Sequence, residues 1–213
     1  IPTYNREDFV SRAIESVLKQ SLAGVELIVI DDGSTDNTHE LLLRRYKANE
    51  GVKLHRFSNN KGVNAARNKG VELACGEYVG FLDSDDYIYP NSLNKVMQIL
   101  AAHANLEHFC FKVLDESTHK PYLLTRPQNE GVIAFDDLLS GKFDGDYAHF
   151  VRRNIFIECP FFEDFRAEEN LNWYRILKEH GPAKFFDVPV VCVRRVGADS
   201  LSHSLTLDSL SKI

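Results

Sequence analysis

Residues 78–86 read Tyr78-Val79-Gly80-Phe81-Leu82-Asp83-Ser84-Asp85-Asp86, a short apolar run that breaks into an acidic cluster. The run has the length and bounds of a buried strand. Like charges packed this closely are costly unless something cationic offsets them. The same pattern stands upstream, where Glu26 to Ile30 is a short apolar run and Asp31-Asp32-Gly33-Ser34 ends it as a turn. Helical spacing fills the gaps. Asn5 can cap a helix that carries Phe9, Val10, Ala13, Ile14, Val17 and Leu18 at helical intervals. A second helix carries Leu41, Leu42, Arg45 and Tyr46, and a third runs from Val63 to Ala74, ending at Gly76. Val52 to Phe57 alternates as a strand does, and Pro90 can open a further helix after the acidic cluster. This β-α alternation predicts an α/β layered fold with a mainly parallel sheet. In such sheets ligands sit beyond the carboxyl ends of the strands. Right-handed crossovers bring both acidic turns to one edge.

The second half is less regular. Leu106 to Leu114 reads as a strand, 115–131 as a polar loop or hairpin, and Phe135 to Leu139 as a short helix. Arg166 to His180 has clear helical spacing, and Lys184 to Val193 suggests strands interrupted at Pro189. A Ser-rich stretch from Gly197 reads as a mobile tail. The chain opens on Ile1-Pro2-Thr3, which looks like the end of a strand, so residues are expected before it.

Composition narrows the function. Of 213 residues 44% are apolar and 26% charged, enough to bury a sizeable core. The net charge of −6 and basic clusters no longer than the pairs Arg44-Arg45 and Arg194-Arg195 argue against a nucleic-acid partner. Cys75, Cys110, Cys159 and Cys192 form no C-x-x-C pair and lie among apolar neighbours. They read as buried free thiols, suited to a reducing compartment. No apolar run approaches the ~20 residues of a membrane span, and no signal peptide is visible. The P-loop, the G-x-G-x-x-G and G-x-S-x-G motifs and H-E-x-x-H are all missing.

Four constellations remain, each with a bland alternative. Asp83, Asp85 and Asp86 form either a site for Mg²⁺ or Mn²⁺, which share oxygen ligands with phosphates, or a solvated acidic turn. Asp31-Asp32 can accept hydrogen bonds from a base or ribose, or simply make a turn. Arg67, within Asn64-Ala65-Ala66-Arg67-Asn68, can pair with a diphosphate or sit on the surface. Glu168-Glu169 can supply a general base at a helix start, or only a helix-end charge.

Taken in order, these residues resemble a known family. Ile1 to Asn5, Ile30 to Asp36, Gly62 to Asn68 and Phe81 to Asp86 look like successive blocks of family 2 glycosyltransferases of GT-A fold. The resemblance covers residues 1 to about 100 with ordinary spacing. It implies a Rossmann-like, mainly parallel central sheet flanked by helices, with a smaller acceptor-side region. Within one domain, 1–104 would bind the nucleotide-sugar, and 105–213 would bind the acceptor and hold the base.

The resemblance also implies an inverting transferase that uses a nucleotide-diphosphate sugar, UDP by default, with Mn²⁺ or Mg²⁺. Pro2, Thr3 and Tyr4 would line the nucleoside pocket, Asp32 would hold the base, and Arg67 would lie near the base or diphosphate. Asp83 and Ser84 would face the ribose or metal region. Asp85, the last Asp of D-x-D, would be the metal ligand, with Asp86 only a helix-side carboxylate. Glu169 stands where the family carries its general base, usually an Asp, with Asp164 and Glu168 as alternatives. Arg194-Arg195 through Ser202 resembles a C-terminal Tyr-Arg-x-His-x-x-Ser segment, with Val196 in place of the His and His203 beyond. Expected partners are the sugar donor and a glycan or lipid-linked glycan acceptor of bacterial surface polysaccharide or lipopolysaccharide. The expected location is the cytoplasm, with peripheral association at the inner face of the membrane. The competing readings are a non-catalytic sugar- or nucleotide-binding module and a nucleotidyltransferase on a similar sheet.

Overall fold

The computed structural model describes residues 1–121, 123–125, 130–140, 142, 144–164 and 169–194. The elements run β1 (Pro2–Thr3), α1 (Val10–Leu18), β2 (Leu27–Asp31), α2 (Thr38–Tyr46), β3 (Val52–Arg56), α3 (Val63–Leu73) and β4 (Tyr78–Gly80). Then come β5 (Tyr87–Ile88), α4 (Ser92–Ala102), β6 (His108–Asp115), β7 (Leu123–Thr125), β8 (Gly131–Ile133) and α5 (Phe135–Leu139). The chain continues through β9 (Asp144–Gly145), β10 (Tyr147–Arg152), α6 (Arg153–Glu158), α7 (Glu169–His180) and β11 (Ala183–Val193).

β1, β2 and β3 pair in parallel, as the alternation of helix and strand requires. β2 is buried along its whole length because helices cover both of its faces. Side chains alternate across a strand. Leu27 and Val29 accordingly pack with Val10, Ile14 and Leu42 of α1 and α2, while Ile28 and Ile30 pack with Ala66 and Ala74 on the α3 side. A second sheet has the order β4-β10-β6-β11-β5, with β8 also on β11. Here β6 and β11 are parallel, and β4, β5, β8 and β10 enter antiparallel. One face of β6 sends Phe109, Phe111 and Val113 into the largest core cluster, with Leu93 and Val96 of α4. The other face carries Cys110 against Leu177 of α7. The class is therefore α/β, and β4 and β5, which flank the acidic cluster, belong to the same sheet as the second-half strands.

Several local expectations change. Asn5 does not cap α1, which begins at Val10; its backbone has φ of +51° and its side chain serves a turn. The helix after Pro90 begins at Ser92, and a two-residue strand, β5, stands before it. Pro189 does not split the last strand; the register of β11 against β6 shifts there instead. β10 and α6 were not foreseen. Cys110, Cys159 and Cys192 are buried free thiols, but Cys75 is exposed. Among the described residues no helix is long and apolar enough to cross a membrane. The tail from Gly197 lies outside the described residues.

Candidate active site

The turn after β2 gives its two aspartates different work. Asp31 is spent on the fold. Its Oδ1 accepts the Ser34 N–H at 2.9 Å, and its Oδ2 faces Arg56 Nε at 3.4 Å and His39 Nδ1 at 3.2 Å. Asp32 instead reaches forward. Its Oδ1 accepts the Lys61 N–H at 2.7 Å and its Oδ2 accepts the Gly62 N–H at 2.9 Å. Burial pushes the Asp32 carboxyl up from its ordinary range, and these two N–H donors oppose that rise. Each carboxylate oxygen has a second acceptor direction, so Asp32 can orient the 61–62 loop and still receive a donor from a ligand.

Gly33 makes this arrangement possible. Its φ is +72°, and a Cβ there would lie 2.6 Å from the Asn59 carbonyl carbon and 2.9 Å from the Asn60 nitrogen. Those atoms are backbone and cannot swing aside. Gly33→Ala is expected to destabilise the fold by about 1–3 kcal/mol and to displace the loop that donates to Asp32. Chemical denaturation checks this, and an unchanged midpoint would contradict it.

The first loop closes on the same turn. Asn5 Oδ1 accepts the Thr35 N–H at 2.8 Å and the Asp36 N–H at 3.3 Å, while the Asn5 N–H donates to Ser34 Oγ at 3.0 Å. The Asp32 N–H donates to the Thr3 carbonyl at 2.8 Å. Pro2 and Thr3 are buried in the sheet, and Tyr4 alone of the three is exposed.

Arg67 joins the loop to the acidic cluster. It is 6% exposed, and its Nη2 donates to Asp83 Oδ1 at 3.1 Å. Its guanidinium lies 5.9 Å from the Phe81 ring centre and 5.5 Å from that of Phe161. Aromatic walls limit its rotation and its contact with water. Asp83 is about half exposed and Ser84 is buried. Asp85 is one-third exposed, and Arg6 Nε stands 3.9 Å from its Oδ2. Burial and then the Asp83 charge push Asp85 upward. The same causes, in the same order, bring Asp86 up to about 8. Asp86 precedes a strand rather than a helix, and its Oδ1 accepts the Arg194 N–H at 2.9 Å, tying the end of β11 to the cluster.

These contacts, joined by the stretches of chain between them, close a ring. It runs from Asp32 through Gly62 and α3 to Arg67, on to Asp83 and Asp85, and back through Arg6 and Asn5 to the first acidic turn. The donor set suits a hard cation, since it is made of carboxylate oxygens. Among the described residues the cluster forms no three-ligand cage. An ion held there by one or two carboxylates would take its further ligands from phosphates and water.

The second half docks on α3 through Asn64 and Asn68, four residues apart and therefore on one helix face. Asn64 Nδ2 donates to the Phe162 carbonyl and Asn68 Nδ2 to the Phe161 carbonyl, each at 2.9 Å, and Asn68 Oδ1 accepts the Phe161 N–H at 2.8 Å. This fixes the chain leading to Asp164, which is exposed, and towards Glu169, which opens α7. The Glu169 side chain, Glu168 and the segment from Arg195 through His203 lie outside the described residues. Sequence reasoning missed Arg6, Asn5 as a turn clamp, and the docking role of Asn64 and Asn68.

The family model for glycosyl transferase family 2 matches residues 1–167. The chain belongs to glycosyl transferase family 2. Within that family it is 39% identical to an uncharacterized glycosyltransferase of Haemophilus influenzae, over 96% of this chain and 80% of that protein. It is 29% identical to the GalNAc(5)-diNAcBac-PP-undecaprenol beta-1,3-glucosyltransferase of Campylobacter jejuni, over 84% of this chain and 59% of that protein. Its fold is that of S. aureus TarS. The crystal structure of TarS residues 1–349 with UDP-GlcNAc superposes with a TM-score of 0.74 at 19% identity, covering 96% of this chain and 60% of that one. This family-2 chain thus spans about three-fifths of the Campylobacter protein and of that TarS structure. The GT-A fold expected from the sequence is the fold observed.

Proposed function

We propose that this chain transfers a sugar, a hexosyl or N-acetylhexosaminyl group, from a nucleotide-diphosphate donor to a hydroxyl of a glycan or lipid-linked glycan, with inversion. The observation that carries this reading is the ring linking Asp32, Arg67, Asp83 and Asp85. The Campylobacter relative is named for an undecaprenol-linked acceptor, and a TarS structure holds UDP-GlcNAc. The first supports a lipid-linked glycan acceptor in bacterial surface polysaccharide synthesis, and the second a UDP-sugar donor. A lipid-linked acceptor would place the chain at the inner face of the cell membrane, held peripherally.

In this mechanism Asp32 accepts a hydrogen bond from the base through a free acceptor direction. Tyr4, exposed beside it, offers a surface for the nucleoside, and Pro2 and Thr3 hold the strand on which that surface stands. Arg67, held by Asp83 and bracketed by rings, places positive charge where the diphosphate departs. Asp85, with Asp83 beside it, would hold Mn²⁺ or Mg²⁺, which when bound offsets charge on the leaving nucleoside diphosphate. Glu169 takes the acceptor hydroxyl's proton as that oxygen attacks the anomeric carbon from the opposite face.

The test is nucleotide release without acceptor. With Mn²⁺ present, the protein is expected to release UDP slowly from at least one UDP-sugar, and EDTA is expected to stop it. A folded protein that releases no nucleotide from any sugar nucleotide would favour a non-catalytic binding module.

A further inference from the structure

A second cluster of ligand-type side chains lies away from the acidic turns, between the second sheet and α7. His108 and Cys110 are alternate residues of β6 and so share a face, and His149 is the cross-strand partner of Cys110 on β10. Their donor atoms converge. His108 Nε2 and His149 Nδ1 are 2.8 Å apart, and Cys110 Sγ lies 3.3 Å from His149 Nδ1 and 3.7 Å from His108 Nε2. Among the described residues, the hydrogen bonds of these three atoms run only to one another.

The geometry points to a site for one borderline-soft divalent ion, of the Zn²⁺ or Co²⁺ kind, held by His108 Nε2, His149 Nδ1 and Cys110 Sγ. Tetrahedral zinc has bonds of about 2.0–2.1 Å to nitrogen and about 2.3 Å to sulfur. That places nitrogen donors about 3.3 Å apart, and nitrogen and sulfur about 3.6 Å apart. The two observed sulfur–nitrogen distances straddle this value, and the two imidazoles need to part by only about half an ångström. The donor chemistry suits these ions as well, since thiolate and imidazole favour them over Mg²⁺ and Mn²⁺. This sets the site apart from the carboxylates near Asp85.

Burial prepares the two imidazoles but pushes the Cys110 thiol up, so the ion itself has to displace that proton. Burial lowers His108 to about 3 and holds His149 well below its ordinary value, so both rings are neutral and carry lone pairs. His108 Nδ1 is buried without a partner, which favours the tautomer with its proton on Nε2. Binding then moves that proton to Nδ1 and releases one proton, that of the Cys110 thiol, to solvent. A water entering with the ion would complete the fourth position. His149 keeps partial exposure, which gives the ion a path inward.

The site carries its own reporter. Trp173 of α7, the chain's only tryptophan, stacks on the His149 ring with centres 3.9 Å apart and planes 12° from parallel. An ion here would fix the sheet beneath the helix that Glu169 opens.

The experiment titrates metal-free full chain with Co²⁺ and reads sulfur-to-cobalt charge-transfer absorption and Trp173 fluorescence together. One equivalent is expected to raise the band and quench the fluorescence with one midpoint. At 100 times the dissociation constant it should raise Tm by about 5–10 °C. Cys110→Ser should abolish both signals and Cys159→Ser should keep them. Cobalt at Asp85 would give no sulfur band, so failure of the donor-site reading would not imitate failure here. Absence of the band in folded protein overturns the proposal. So does a band lost in Cys159→Ser but kept in Cys110→Ser, which would place the ion on Cys159, Glu179 and His180. Should Cys110→Ser fail to fold, X-ray absorption of the cobalt-loaded wild type decides: two nitrogens and one sulfur support the site, and carboxylate oxygen beside the sulfur overturns it.

Discussion

Glu169→Gln is expected to lower sugar transfer by about 10²–10⁴-fold while leaving donor affinity within about twofold. The amide keeps the size of the side chain, so packing should survive, but it cannot take the acceptor's proton. Position supports the assignment. Glu169 opens α7, and the amino end of a helix stabilises an anion. The helix itself is firmly seated, with Leu171, Trp173, Ile176 and Leu177 buried. The chain before it is pinned to α3 by Asn64 and Asn68, the same helix that carries Arg67. The base and the diphosphate site would thus share one support. Steady-state kinetics with saturating donor reads the effect in kcat. A Gln variant that turns over at the wild-type rate would move the base to Asp164 or Glu168.

Asp85→Ala is expected to weaken donor binding in Mn²⁺ by about 100-fold or more, down to the level seen in EDTA. Burial first and the neighbouring Asp83 second raise the Asp85 carboxyl above its ordinary range, so a negative charge there lacks full compensation. Arg6, 3.9 Å away, compensates it only in part. A divalent ion bridging to a diphosphate would supply the rest. Removing Asp85 leaves Asp83 engaged by Arg67 and Asp86 engaged by the Arg194 N–H. Neither is then placed to replace it fully. Calorimetry of donor with Mn²⁺ measures the loss.

How far each feature could be read from the sequence follows from how far away its cause lies. The two acidic turns were readable because short apolar runs end there in Asp, Gly and Ser, all within a few residues. The β-α alternation of the first hundred residues carried the fold class for the same reason. Asn5 was misread because Asn caps helices and makes turns by the same short-range hydrogen bonds. Its turn partners, Thr35 and Asp36, are 30 and 31 residues away. Asp86 looked like a helix-side carboxylate, yet its partner lies 108 residues on. The docking of Asn64 on Phe162 spans 98 residues. β5 has only two residues, too few to show a period. β10 hid for another reason: its sequence, Tyr147-Ala148-His149-Phe150-Val151-Arg152, mixes ring and polar residues on both faces. Only the register of β10 on β6 puts its His149 opposite Cys110.

The ring joining Asp32, Arg67, Asp83 and Asp85 would hold a metal-bound nucleotide-sugar. Titrating the wild-type chain with a panel of UDP-sugars, once in Mn²⁺ and once in EDTA, tests this most directly. Saturable binding of at least one donor in Mn²⁺, and its loss in EDTA, is the result predicted. Equal binding of that donor in both conditions, or binding of none, would contradict it.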